Sequence, residues 1–195
     1  MKTTGNTILI TGGGSGIGRG LAEAFYGLGN QVIIAGRRQS VLDEVTSANP
    51  GMHSAVLDIG SAASIAGFAE RIKWEHPRLN VVIHNAGIMR TEMVTAGLVD
   101  DAEATVATNL LGPIRLTAAL LPFLLSHQNP EHPPVIMTVS SGLAFLPLTL
   151  NPTYCATKAA IHSYTQSLRY QLRNTSVQVL ELIPPYVQTE LQGAH

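Results

Sequence analysis

The chain has a single cysteine, few aromatic residues, no surplus of either charge and no long apolar run. Each shortage removes a class of protein. Cys155 stands alone, which excludes an internal disulfide. Charged residues are only 13% of the 195 positions and the net charge is −1, with Lys and Arg scattered, so no nucleic-acid partner is expected. The longest apolar stretch, Leu116 to Leu125, is interrupted by Pro122 and is too short to cross a bilayer, so no membrane association is expected. Met1 to Asn6 is polar and runs straight into an apolar strand, without the pattern of a signal peptide. The histidines are dispersed without metal-ligand spacing, and no metal site is expected. No stretch is dense enough in Pro, Gly or Ser to serve as a linker, and no internal repeat is visible. The plain expectation is a cytoplasmic protein with one domain over residues 1–195.

What is present is an alternation of short β-rich runs and longer helical ones. Thr7–Thr11, Gln31–Ala35, His53–Leu57, Val81–His84, Val135–Val139 and Val177–Ile183 read as strands. Helices are expected from about Ile17 to Leu28, near Ser40–Ala48, from Ala62 to about Glu75, over Asp101–Ser126 and around Tyr154–Arg173. Strands joined by helices imply an α/β fold. It is a doubly wound parallel sheet of about six strands in three α/β/α layers, the Rossmann arrangement. Trp74 reads as a partly buried anchor, and Cys155 as a small packing residue without an activating base.

Between the first strand and the first helix lies Thr11-Gly12-Gly13-Gly14-Ser15-Gly16-Ile17-Gly18. Such glycines permit positive φ and let the backbone approach a pyrophosphate, which then meets free N–H groups at the helix start. A flexible turn with no ligand is the bland alternative; the strand before and the apolar helix after argue against it. At the end of the second strand, where NAD sites usually carry a carboxylate, the chain has Gly36-Arg37-Arg38, with no acid until Asp43. A guanidinium suits a 2′-phosphate, so NADP(H) is favoured over NAD(H), the alternative being two solvated surface arginines.

Tyr154 and Lys158 are four residues apart, one turn of helix, and so share a face. A nearby ammonium favours the phenolate and lowers a phenol's pKa from about 10, which fits the hydroxyl for proton transfer. In the long helix, Pro113 has no N–H to offer the Asn109 carbonyl, so Gly112-Pro113 predicts a kink and a free carbonyl there.

These motifs, with Asp58 after the third strand, Asn85-Ala86-Gly87 after the fourth and Ser141 ahead of Tyr-x-x-x-Lys, resemble the single-domain short-chain dehydrogenases/reductases over essentially the whole chain. The resemblance implies Tyr154 as general acid/base. It implies that Lys158 lowers the tyrosine pKa and holds the nicotinamide ribose, that Ser141 bonds the substrate oxygen, and that Asn109 serves a proton relay. It also implies that Gly12, Gly14, Ser15, Gly16, Ile17 and Gly18 hold the pyrophosphate. Asp58 and Ile59 would line the adenine pocket, Asn85, Ala86 and Gly87 support the sheet beside the cofactor, and Val187 and Thr189 meet the nicotinamide carboxamide. The substrate implied is a small carbonyl or alcohol, and relatives self-associate, so a homodimer or homotetramer is expected.

Two departures stand out. Pro184-Pro185 replaces the usual Pro-Gly, and the run through Val187 and Thr189 is similar to bacterial members associated with D-alanylation of lipoteichoic acid. The chain also stops at His195, before the substrate lid and seventh strand of most relatives, which are therefore expected to be missing. Two other functions share parts of the pattern: a nucleotide-sugar epimerase or dehydratase, and a dinucleotide-sensing protein with little turnover.

Overall fold

The computed structural model describes residues 1–127, 129–185, 187 and 191. Six strands form one parallel sheet in the order β3-β2-β1-β4-β5-β6. They are β1 (Thr7–Thr11), β2 (Gln31–Gly36), β3 (His53–Val56), β4 (Val81–His84), β5 (Val135–Val139) and β6 (Gln178–Leu182). The helices are α1 (Gly16–Gly27), α2 (Gln39–Ala48), α3 (Ala62–Glu75), α4 (Asp100–Val106), α5 (Gly112–Leu125) and α6 (Pro152–Gln171).

Strand periodicity sorts the core into two layers. Ile8, Ile10, Val32, Ile34, Val81 and Ile83 face one side and pack with Ala22 of α1 and Leu42 and Val45 of α2. Leu9, Ile33, Val82 and Ile136 face the other and meet Ile65, Phe68 and Ile72 of α3 and Leu116, Leu120 and Leu124 of α5. Truncating one of these fully buried side chains, Ile33→Ala for instance, should cost about 2–5 kcal/mol. Trp74 departs from expectation: it is 83% exposed, because Ile65, Phe68 and Ile72 already fill the inward face of α3.

The expected helix over Asp101–Ser126 is a continuous rod, Asp100–Leu125, but not a regular one. Ala107–Leu111 winds as a π-helix between α4 and α5. Gly112 N–H bonds the Ala107 carbonyl, and Pro113 has no N–H, so the ordinary α-helical donors of the Thr108 and Asn109 carbonyls are both withdrawn. Gly112 is required there by contact: a Cβ would come within 2.6 Å of the Ile59 carbonyl oxygen. The kink read from the proline is thus an inserted residue. By length and composition this rod could cross a membrane, yet its Leu116, Leu120 and Leu124 stripe lies in the core.

The strand order reverses between β1 and β4, and an open α/β sheet has its crevice outside the carboxyl ends of those strands. That geometry brings the glycine turn and Asn85-Ala86-Gly87 side by side.

Candidate active site

The turn after β1 is tied to the end of β4 by two side chains. The Thr11 hydroxyl accepts from the N–H groups of Asn85 and Ala86, each at 3.1 Å. In return, Asn85 Nδ2 donates to the carbonyls of Thr11 (3.0 Å) and Gly12 (3.2 Å). Gly12 takes a φ of +68°, and a Cβ on Gly18 would collide with the Gly12 carbonyl and the Asn85 amide. The turn is therefore held against the sheet with its backbone exposed, and Ser15 caps α1 without spending its side chain on a cap bond.

A cleft opens above it. Gly12, Gly14 and Ser15 line one wall, Arg37, Arg38, Asp58 and Ile59 another, and Ala86, Gly87, Ile88 and Thr108 a third. Asp58 is turned back on its own loop, its Oδ1 accepting from Gly60 N–H at 3.0 Å. Arg37 and Arg38 are exposed, and their guanidiniums form no hydrogen bond or ion pair with any described residue. Gly16, Ile17 and Gly18 start α1 just behind the lining, and Asn85 acts from beneath it. Sequence reasoning missed Thr108, Val41 and Leu42. The first depends on the π turn, and the other two look like ordinary core positions of α2.

The second group of candidate residues continues from the Ile88 end of the cleft. Asn109, 3% exposed, receives Ile88 N–H on Oδ1 (2.8 Å), while its Nδ2 donates to the Ile88 carbonyl (2.9 Å) and the Thr157 hydroxyl (3.3 Å). One amide thus joins the loop after β4 to α6, a use its sequence position does not reveal. Ser141, at the end of β5, accepts from Leu143 N–H at 3.1 Å and lies near enough to the Tyr154 hydroxyl to favour its phenolate. Tyr154 and Lys158 are both buried in α6, with the ammonium nitrogen 5.5 Å from the phenol ring centre.

The electrostatics correct one expectation. The Tyr154 pKa is raised, first because burial disfavours the phenolate; the nearby Ser141 hydroxyl opposes this, and Lys158 is not a contributor. The reason is geometric: Lys158 Nζ donates to the Val139 carbonyl at 2.8 Å. Burial lowers the pKa of that ammonium to about 8. His84 is also neutral, pushed to about 4 by burial, with Nε2 on the Thr117 hydroxyl at 2.9 Å. Cys155 packs as expected, its sulfur accepting from Leu148 N–H at 3.2 Å. Val187 is exposed and does not line the cleft, and Thr189 lies outside the described residues.

The residues fit a dinucleotide. A glycine turn with no room for side chains meets a helix start, in a cleft that the guanidinium-bearing Arg37 and Arg38 also line. Among the described residues no cluster of three or more His, Cys, Asp or Glu could hold a metal.

Comparison with known proteins agrees. A family model described as short chain dehydrogenase matches residues 6–195. The chain is 43% identical over 195 residues to "Uncharacterized oxidoreductase DltE" of Bacillus subtilis, covering 98% of this chain and 75% of the relative. It is 32% identical over 196 residues to an NADP-dependent 3-hydroxy acid dehydrogenase of Schizosaccharomyces pombe, covering 97% and 74%. Among solved structures, the closed form of a serine dehydrogenase complexed with NADP+ superposes with a TM-score of 0.86 at 29% identity, over 94% of this chain and 74% of that one. The Bacillus relative agrees with the bacterial subgroup suggested by Pro184-Pro185.

Proposed function

The chain belongs to the short-chain dehydrogenase family of NAD(P)-dependent oxidoreductases, and from that premise we propose that it interconverts a carbonyl and a secondary alcohol with NADP(H), Tyr154 acting as general acid/base. The observation that carries this reading is the burial of Tyr154 and Lys158 one turn apart on α6, with Ser141 beside the phenol, joined through Asn109 to a cleft built on the glycine turn. When bound, the nicotinamide supplies or accepts the hydride at the carbonyl carbon. The other half of the balance falls to the protein: as the C=O π bond breaks, the Tyr154 O–H gives its proton to the oxygen. Ser141 donates to the same oxygen while negative charge develops on it.

Lys158 in this reading leaves the Val139 carbonyl for the ribose hydroxyls and brings positive charge toward Tyr154, reversing the upward push of burial. Asn109 keeps the loop after β4 and α6 in register, and the carbonyls freed by the π turn serve a proton path from Lys158 to solvent. Preference for NADP(H) rests on Arg37 and Arg38. They line the cleft, their guanidiniums have no partner among the described residues, and a bidentate guanidinium matches a phosphate monoester. Asp58, Ile59, Ala86 and Gly87 would enclose the adenosine, with Val187 and Thr189 reaching the carboxamide.

The test is NADPH oxidation with a panel of ketones and aldehydes, alongside Tyr154→Phe. The variant should lose about a thousandfold in kcat while its NADPH affinity, read by fluorescence titration, stays the same. Near-normal turnover by Tyr154→Phe removes the assignment.

A further inference from the structure

Outside the cleft, one pair of ionisable side chains stands between β6 and the loop that carries Ser141. Glu181 lies in β6 opposite Thr138 of β5, and its side chain is only 9% exposed. His162, one turn beyond Lys158 on α6, places Nδ1 at 2.9 Å from both oxygens of that carboxylate. A carboxylate only accepts, so Nδ1 carries the proton, and Nε2 accepts from the Gln166 amide nitrogen at 2.6 Å. With both nitrogens held, the ring has one orientation. In it the imidazole meets Phe145 in an edge-to-face contact, with ring centres 4.7 Å apart at 70°.

Phe145 is the far end of the turn that Ser141 begins. Ser141 caps Gly142–Ala144, its hydroxyl accepting from Leu143 N–H at 3.1 Å and its carbonyl from Ala144 N–H at 3.0 Å. The N–H groups of Phe145 and Leu146 then close on the Gly142 carbonyl at 3.1 and 3.2 Å. Burial does little to hold this far end, since Phe145 is 57% exposed. At the near end, Ser140 N–H bonds the carbonyl of Leu182, the residue after Glu181, at 3.0 Å. β6 therefore grips both ends of the Ser141 turn, through its main chain before it and through Glu181 and His162 after it.

Docking α6 on the sheet does not require this pair. Arg169 Nε already bonds the Val179 carbonyl at 3.0 Å, and the hydroxyls of Thr165 and Thr138 meet at 2.8 Å. A carboxylate and an imidazole taken from water seldom stabilise a fold more than two apolar side chains of their size would. What an apolar pair lacks is direction. Resting on the oxidoreductase reading above, we infer that Glu181 and His162 are positioning residues: they fix Phe145, and through the turn that it ends they aim the Ser141 hydroxyl at the substrate oxygen.

The experiment is a pair of double-mutant cycles on carbonyl reduction with NADPH, His162→Ala and Phe145→Ala each combined with Ser141→Ala. Alone, His162→Ala and Phe145→Ala should each lower kcat about tenfold, with the NADPH Kd from fluorescence titration unchanged. In the Ser141→Ala background neither should lower the residual kcat further, because the hydroxyl they aim is gone. Glu181→Ala should match His162→Ala, and Glu181→Gln, which keeps an acceptor for Nδ1–H, should recover most of that loss. Losses that persist in the Ser141→Ala background overturn the inference and leave the oxidoreductase reading standing. So does an unchanged kcat in His162→Ala, or in Phe145→Ala, whose exposed side chain can be removed without endangering the fold. No turnover of any carbonyl by a parent protein that binds NADPH would overturn the oxidoreductase reading, and this inference with it.

Discussion

The two halves of the sheet meet their ligands in opposite ways. On the β1-β2-β3 side the site is backbone and surface: a glycine turn, a helix start, and two arginines whose guanidiniums have no partner among the described residues. On the β4-β5-β6 side it is mostly buried side chains committed within the protein: Asn109 to Ile88 and Thr157, Ser141 to Leu143 N–H, Lys158 to the Val139 carbonyl, with Tyr154 buried beside them. An open half can recognise a large polar ligand without rearrangement. A buried half can hold groups away from their ordinary pKa values, as Tyr154 and Lys158 are. In the proposed function, binding and chemistry divide between the halves, and substitutions should divide the same way.

The sharpest separation is expected from Lys158→Met. Turnover should drop about a thousandfold, yet the protein should become more stable at neutral pH. Burial lowers the folded pKa of Lys158 from the ordinary 10.5 to about 8, so the unfolded chain binds the extra proton between those values. Stability of the parent protein therefore rises with pH across that window, and below it the cost of the buried charge, roughly 3 kcal/mol, is felt in full. Thermal melts from pH 7 to 10 should show the rise in the parent and a flat curve in the variant. A variant less stable at pH 7 breaks the comparison.

In the open half, Arg37→Asp should swing the NADPH-to-NADH ratio of kcat/KM by about a hundredfold and leave the melting temperature alone. An unchanged ratio would mean the guanidinium is only solvated. Asn109→Ala belongs to the buried half and should cost about 2 kcal/mol in chemical denaturation, since it strands both polar groups of the Ile88 main chain. A neutral outcome would remove its bridging role. The smallest shift is read in the pH profile of Ser141→Ala, beside its loss of turnover. Ser141 lowers the Tyr154 pKa, so without it the rising limb of the pH–rate profile for alcohol oxidation should move to higher pH. A limb that stays in place would show that the two hydroxyls act separately.

The open half was also the legible one. The glycine spacing and Gly36-Arg37-Arg38 are local signals, and each residue lies where its own stretch of chain puts it. The strands were equally readable, because buried parallel strands are short, continuous apolar runs. In the buried half the sequence offered candidate residues, and their state was not legible in it. Tyr-x-x-x-Lys sets a spacing and not a burial, so the phenol pKa was expected to fall and instead rises. Gly112-Pro113 predicted a bend, whereas the π winding that puts Thr108 in the cleft also depends on the Ile59 carbonyl, far away in sequence. Trp74 misled for a related reason: its size suggested burial, but the inward face of α3 was already full.

The π winding at Ala107–Leu111 also makes the enzyme sensitive to the reading of a single codon. Deleting Leu110 would let the rod relax to ordinary pitch, with α4 and α5 still in phase but the wide turn that sets Asn109 closed. Asn109 would then lose the position from which it reaches Ile88 and Thr157, with Ser141, Tyr154 and Lys158 still encoded. Such a deletion protein should retain helical circular dichroism and lose turnover; full activity would show that the register does not matter.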